Sequence, residues 1–156
     1  MRKIMFSILV VSLNAGEKLV ETIRSIFEQE YTNYEVVVKD GGSKDDSLEN
    51  LEAYLEQCDE AAKARIRIIR EPDKSIYEGM NQATSYAEGR FYYFLNCGDV
   101  FANTTALKKV ADEIGKEEEG SRKHLIYYGN IFDALRQQVI SSNPKIDDFA
   151  CYRNVP

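Results

Sequence analysis

The stretch 36–47 constrains this chain more than any other. Val36, Val37 and Val38 are adjacent and β-branched, the pattern of a strand buried on both faces. Lys39-Asp40-Gly41-Gly42-Ser43 then converts the strand end into an acid, two glycines and a hydroxyl. Glycines let a backbone turn sharply and let a ligand approach closely. Asp45, Asp46 or Ser47 can cap the helix whose apolar positions follow at Leu48, Leu51 and Leu55. In an open α/β sheet ligands bind beyond the carboxyl ends of the strands, and Asp40 lies at such an end. The same residues also fit a plain βα turn that holds nothing.

Strands and helices alternate on either side of this stretch. Residues 4–12 are nearly all apolar and read as a first strand, followed by the turn Asn14-Ala15-Gly16. Leu19, Val20, Ile23, Ile26 and Phe27 form one helix stripe, ended by Tyr31-Thr32-Asn33. A second strand spans 34–39 and a second helix runs from 47 to about 60. Residues 65–70 alternate and then turn apolar, as a strand with an edge or face near water does, and Pro72 ends it. A polar loop at 73–79 leads into a helix over 77–87, with Met80, Ala83, Thr84 and Ala87 inward and Gly89 as its stop. The strand 91–95 opens into Asn96-Cys97-Gly98-Asp99. A helix over 104–118 follows, capped by Asn103 or Thr104. Then come a charged connector, a strand at 125–129 that Ile131-Phe132 extends, a hairpin partner at 137–140, and a tail at 141–156 without periodicity. This order predicts an α/β fold, a mostly parallel sheet with helices on both faces.

Composition narrows the function classes. The chain has 156 residues, enough for one domain with a real core, with 44% hydrophobic and 29% charged residues. A net charge of −6 argues against a nucleic-acid partner held by general electrostatics. Ten tyrosines and no tryptophan leave aromatic packing to tyrosine and phenylalanine. Cys58, Cys97 and Cys151 have no metal-binding spacing and no disulfide pattern, which fits a reduced, cytoplasmic setting. The N-terminal apolar run is short and β-branched and leads to Ser12-Leu13-Asn14, so it reads as a strand and not a signal peptide. No stretch is long enough to span a membrane.

Three strand ends carry polar chemistry on one edge of this sheet: Asn14 with Glu17, Asp40 with its glycine turn, and Asn96 to Asp99. The polar stretch from Asp73 to Asn81 returns to the same edge. There is no Gly-x-Gly-x-x-Gly after the first strand, no phosphate loop ending in Gly-Lys-Ser or Gly-Lys-Thr, and no Gly-x-Ser-x-Gly turn. His124 enters a strand and reads as structural. Cys97 lacks a histidine nearby in sequence and reads as a small packing residue.

These residues carry a resemblance. The run from Ser7 to Asn14, its amphipathic helix, and Tyr34-Glu35-Val36-Val37-Val38-Lys39-Asp40-Gly41-Gly42-Ser43-Lys44-Asp45 resemble the opening of family 2 glycosyltransferases. Arg70-Glu71-Pro72-Asp73-Lys74-Ser75-Ile76-Tyr77-Glu78-Gly79-Met80-Asn81 resembles the next motif of a bacterial subgroup that builds cell-surface polysaccharides. Phe94-Leu95-Asn96-Cys97-Gly98-Asp99 resembles the motif that closes the nucleotide half. The resemblance implies a Rossmann-like, glycosyltransferase A-type sheet and an inverting transfer from a nucleotide-sugar donor, UDP-linked, to a glycan or lipid-linked acceptor. By the same resemblance Ser12, Asn14 or Glu17, and Asp40 with Gly41 contact base and ribose. Asp73 and Asn81 line the diphosphate and sugar, Asn96 lies with the donor, and Asp99 holds Mn²⁺ or Mg²⁺. A carboxylate suits uracil because it accepts the ring N–H. The expected setting is cytoplasmic, at the inner face of the membrane where such pathways act.

The sequence departs from the family pattern twice. Where many relatives carry Asp-x-Asp, this chain has Asn96 and Gly98, leaving Asp99 as the only carboxylate. An inverting transfer also needs a general base. The late aspartates Asp133, Asp147 and Asp148 sit in no recognisable version of that motif. The expectation is a nucleotide-sugar-binding half over 1–101 and the beginning of an acceptor half over 102–156, truncated at the C-terminus, with the base outside the chain. Two other readings fit the same residues: a nucleotide-sugar-binding fragment without turnover, and a module whose strand-end acids bind only a metal.

Overall fold

The computed structural model describes residues 4–115, 131–133 and 136–140. It divides into two compact units, Met1–Ala111 and Asp112–Pro156.

The first unit contains β1 (Phe6–Ser12), α1 (Lys18–Phe27), β2 (Tyr34–Asp40), α2 (Ser47–Glu56), α3 (Glu60–Lys63), β3 (Ile66–Arg70), α4 (Ile76–Thr84) and β4 (Phe91–Phe94), and the start of α5 (Ala106–Gly115). The four strands form one sheet in the order β3-β2-β1-β4, and every pair is parallel. Ile8, Val10, Val36, Val37 and Val38 are fully buried, as central strands require. α1 turns Leu19, Thr22, Ile23 and Ile26 to the core. On the opposite face Ala83 of α4 packs on Leu9 and Val37, with Ile69 and Ala87 beside them. Helices therefore cover both faces of an α/β sheet.

The strand order fixes where a ligand can enter. The chain steps outward from β1 to β2 to β3, then returns to the other side of β1 to lay down β4. Such a reversal leaves a crevice at the carboxyl ends of the two strands that flank it. β4 pairs with β1 only as far as Leu9↔Phe94, whereas β1 continues along β2 to Ser12↔Asp40. β1 thus runs on past its pairing with β4.

Several boundaries differ from the sequence expectation. The second helix stops at Glu56, because Asp59 adopts an extended conformation and its side chain accepts the Ala62 amide, starting the separate turn α3. α4 begins one residue early, at Ile76, because the Ser75 side chain caps it through the Glu78 amide, and it ends at Thr84. Gly89 does not stop that helix. It sits where a Cβ would lie 2.5 Å from the Ser7 amide nitrogen and 2.7 Å from the Phe6 carbonyl carbon, so the chain crosses β1 there too closely for any side chain. The edge nature of β3 agrees with its alternating sequence. α5 starts at Ala106, since Asn103 takes the Thr105 amide and hydroxyl and Gln29 accepts the Leu107 amide at 3.0 Å.

In the second unit β5 (Ile131–Asp133) pairs antiparallel with β6 (Gln138–Ile140), Phe132 opposite Val139, the hairpin expected there. The strand at 125–129, His124, Asp147, Asp148, Cys151 and the tail lie outside the described residues. Among the described residues no helix is long and apolar enough to cross a membrane.

Candidate functional site at the carboxyl edge

Two loops are stitched together at the carboxyl edge. The Asn14 amide donates to Ser43 Oγ at 2.8 Å, and Asn14 Oδ1 accepts the Lys44 amide at 2.8 Å. The Gly16 amide donates to Asp45 Oδ2 at 3.0 Å and to Ser47 Oγ at 2.8 Å. Asn14 adopts a left-handed φ of +49° to do this, a conformation asparagine tolerates better than most residues. Asp45 also accepts the amide and hydroxyl of Ser47. The Ser47 hydroxyl, helped by the Ser47 and Gly16 amides, holds the Asp45 carboxyl below its usual range. Asp46 occupies the cap position of α2 without a side-chain cap bond, so Asp45 does the capping.

Asp40 folds back onto its own turn. Its Oδ2 accepts the Gly42 and Ser43 amides, each at 2.9 Å, and its Oδ1 accepts the Ser43 hydroxyl. The turn needs Gly42 at φ +101°, which strains any other residue. Asp40 is 1% exposed. The Gly41 amide donates to the Ser12 carbonyl at 2.9 Å, which continues the β1–β2 ladder into the turn. Ser12 is buried, and its Oγ has no hydrogen-bond partner among the described residues.

On the other side of the crevice, α1 holds the exit from β4. Thr22, fully buried, accepts the Gly98 amide at 2.9 Å and donates to the Asp99 carbonyl at 3.0 Å. Ser25 Oγ accepts the Phe101 amide at 3.3 Å. The backbone of the Asn96–Asp99 turn is fixed while the Asn96 and Asp99 side chains are exposed. The stem of Lys18 runs along Gly98, 3.5 Å from where a Cβ would stand. Lys18 makes no ion pair among the described residues. Cys97 lies under this turn. Burial pushes its thiol up from its ordinary value. Burial also raises the Tyr93 phenol, and Asp99 adds to the effect.

Ser12 and Asp40 are buried where β1 and β2 end, Asn14 and Gly41 lie in the turns just beyond, and Asn96 and Asp99 are exposed on the turn that leaves β4, with Glu17 exposed at the start of α1. Asp73 and Asn81 come from the loop before α4 and from α4 itself. Asp73 is an internal group, not an open one: its Oδ2 lies 2.6 Å from Lys39 Nζ, with the two side chains 7% and 0% exposed. Asn81 is exposed on α4, two residues from Gly79 and Ala83, which face the sheet, and so it points outward. Thr22, Ser25, Lys18 and Lys39 were missed by the sequence reading. A threonine inside an apolar helix stripe and a lysine ending a buried strand were the available signals.

Among the described residues no three His, Cys, Asp or Glu side chains cluster as a self-sufficient metal cage. The donors present do suit an ion shared with a ligand. Asp99 is an exposed carboxylate on a fixed turn, and Mg²⁺-like ions commonly use one or two carboxylates with substrate phosphates completing the shell.

Residues 7–153 match the family model described as glycosyl transferase family 2. This chain belongs to that family. A "PGL/p-HBAD biosynthesis glycosyltransferase" of Mycobacterium bovis is 31% identical over 127 residues, covering 81% of this chain and 46% of the relative. The Escherichia coli "UDP-Glc:alpha-D-GlcNAc-diphosphoundecaprenol beta-1,3-glucosyltransferase WfgD" is 33% identical over 96 residues, 61% of this chain and 35% of the relative. The chain thus spans less than half the length of these family members. Among solved structures, S. aureus TarS 1–349 in complex with UDP-GlcNAc superposes with a TM-score of 0.62 at 27% identity, covering 72% of this chain and 31% of that one. The Pyrobaculum calidifontis mannosyltransferase PcManGT, in complex with GDP-Man and Mn²⁺, gives a TM-score of 0.63 at 19% identity over 71% of this chain and 32% of its own. At that identity the likeness shows the shared glycosyltransferase A-type fold.

Proposed function

We propose that this chain carries the donor half of an inverting glycosyltransferase that takes its sugar from a UDP-linked donor and passes it to a glycan or lipid-linked acceptor. The observation that carries the reading is the crevice at the β1–β4 reversal, where the fixed turns bearing Asp40, Asn14 and Asp99 converge in a family 2 chain. UDP is favoured because TarS is seen with UDP-GlcNAc and with UDP, and WfgD uses UDP-Glc by its description.

In this reading the base rests against the β1 end. Asn14 keeps its amide NH₂ for a uracil carbonyl, since its Oδ1 is taken by Lys44. Asp40 is buried and closed on its own turn, and it accepts the uracil N–H through Oδ1 once that oxygen turns from the Ser43 hydroxyl. Ser12 Oγ and Glu17 are the remaining polar groups on that side, and Asn96 faces the donor from the other. Asp99 is the residue that would hold Mn²⁺ or Mg²⁺. Such an ion offsets the negative charge that grows on the departing diphosphate. Lys18 adds a further positive charge beside the same turn. The acceptor hydroxyl attacks the anomeric carbon as the bond to the diphosphate oxygen breaks, and a carboxylate beyond the donor half takes the hydroxyl proton. In this reading the donor half is 1–101 and the acceptor half begins in 102–156, whereas the compact units divide after Ala111. The protein works at the cytoplasmic face of a membrane, where lipid-linked acceptors are found.

The test is release of UDP from UDP-glucose and UDP-N-acetylglucosamine with and without Mn²⁺, in the wild type and in Asp99→Ala. The expected result is slow metal-dependent release that Asp99→Ala abolishes. Release indifferent both to a chelator and to Asp99→Ala would contradict the assignment.

A further inference from the structure

Among the described residues the ion pair between Lys39 and Asp73 is the most deeply buried, its side chains 0% and 7% exposed, and the reaction outlined above gives it no task. Burying charge is costly unless it is paired, and a pair tolerates burial only with good geometry. A βα sheet needs no lysine at this position, which valine would fill. Lys39 instead reaches across from β2 to a loop 34 residues further along, at 2.6 Å, and its ammonium also approaches the Asp40 carbonyl at 3.4 Å.

The surroundings of Asp73 show what the pair holds. A Cβ on Gly41 would stand 2.7 Å from Asp73 Oδ2. A Cβ on Gly79 would stand 3.0 Å from the same oxygen and 2.8 Å from Val11 Cγ1. The carboxylate is therefore wedged between the backbone of the Asp40–Ser43 turn and the first turns of α4, and Gly79 in turn lies on β1 just before Ser12. Two glycines leave the space that one carboxylate fills. The Glu71 amide donates to the Asp40 carbonyl at 3.0 Å, so the loop entering α4 is tied to the same strand end twice.

We infer that Lys39 and Asp73 are a positioning pair: they fix the Asp40–Ser43 turn against β1 and α4, and so set the side of the crevice that receives the nucleotide. Asp73 acts through the turn and touches no donor atom. The part of this inference that concerns the donor rests on the reading above. The part that concerns the turn does not.

The experiment is amide hydrogen exchange of the 156-residue chain, comparing the turn amides of Gly41, Gly42 and Ser43 with the core amides of Val36, Val37 and Val38. The variants are Asp73→Asn and the double variant Lys39→Met with Asp73→Leu, which removes both charges and retains an apolar filling. A merely structural pair would speed both sets alike in the single variant and neither in the double. The positioning role predicts that in both variants the turn amides exchange about tenfold faster relative to the core amides, a factor equivalent to about 1.4 kcal/mol. It also predicts that UDP affinity in Mn²⁺ falls by a similar factor in the folded double variant. An unchanged turn-to-core ratio overturns the inference, and so does a double variant that cannot fold, because the pair would then be a general requirement of the core. Faster turn exchange with unchanged UDP affinity overturns the donor part. A wild type that binds no nucleotide defeats the donor reading itself, while the exchange ratio still decides whether the pair positions the turn.

Discussion

Replacing Thr22 with valine removes one hydroxyl of nearly constant shape, and the structure says what that hydroxyl does. It accepts the Gly98 amide and donates to the Asp99 carbonyl, from a side chain with no solvent exposure. A typical intramolecular hydrogen bond contributes a net 0.5–1.5 kcal/mol, and a buried group left unpaired costs about 1–3 kcal/mol. Gly98 and Asp99 are exposed residues, so water can reach their freed backbone groups and the lower part of that range applies. Two bonds then sum to about 1–2 kcal/mol of lost stability. For a chain of this size each kcal/mol lowers the melting temperature by about 2–4 °C, so Thr22→Val should melt roughly 2–8 °C below the wild type. Thr22→Ser keeps the hydroxyl and should lose much less. Because the bonds end on the turn that bears Asp99, Thr22→Val should also weaken Mn²⁺-dependent UDP binding more than metal-free binding. Thermal melts and urea titrations of the three proteins, with calorimetry for the ligand, supply the numbers. Equal stability of Thr22→Val and wild type, or a loss of the same size in Thr22→Ser, would refute the reasoning that the hydroxyl pins the turn.

Gly89→Ala places a Cβ against the Ser7 and Phe6 backbone, which cannot yield as a flexible side chain does, and should cost about 1–3 kcal/mol by overpacking in a urea titration. Acid should destabilise the fold through Glu35: burial pushes that carboxyl up, but the Ser7 hydroxyl, the Glu88 amide and Arg67 outweigh it and leave it below its ordinary value. A lowered folded value contributes stability that is complete above the unfolded pKa of roughly 4.3 and is lost as pH falls through the folded value, so Glu35→Gln should flatten the decline below that pH in a stability–pH series. Lys18→Ala should weaken UDP more than uridine, in a salt-sensitive way, since the ammonium would act on the diphosphate charge. Calorimetry at two ionic strengths checks this.

The legible part of the fold was the part that repeats locally. Valine runs at 36–38, the apolar stripe from Leu19 to Ile26 and the glycine turns each announce their structure within a few residues. The strand ends were legible as polar turns for the same reason: Asn14 and Asp99 are exposed, while Asp40 turns its carboxylate onto the Gly42 and Ser43 amides. What the sequence hid were long-range polar contacts. Thr22 reads as a weak spot in a helix stripe until its partners at Gly98 and Asp99 are known, 76 and 77 residues away. Gln29 likewise looks like a helix-end residue, yet it caps α5 from across the core. Asp73 lines the donor only by the family resemblance, and its ion pair with the buried Lys39, a partner that nothing local in the sequence marks, shows why its carboxylate turns inward. Gly89 was taken for a helix stop because glycine serves both that use and close backbone approach, and spacing alone does not separate them.

The central claim is that the crevice beside Asp40 and Asp99 is a metal-assisted site for a uridine diphosphate. Calorimetric titration of the chain with UDP, GDP and ADP, each with and without Mn²⁺, tests it most directly. The account predicts binding of UDP in preference to the other two, strengthened by Mn²⁺ and losing that strengthening in Asp99→Ala. Absence of binding by any of the three, or equal binding of all three without regard to metal, would contradict it.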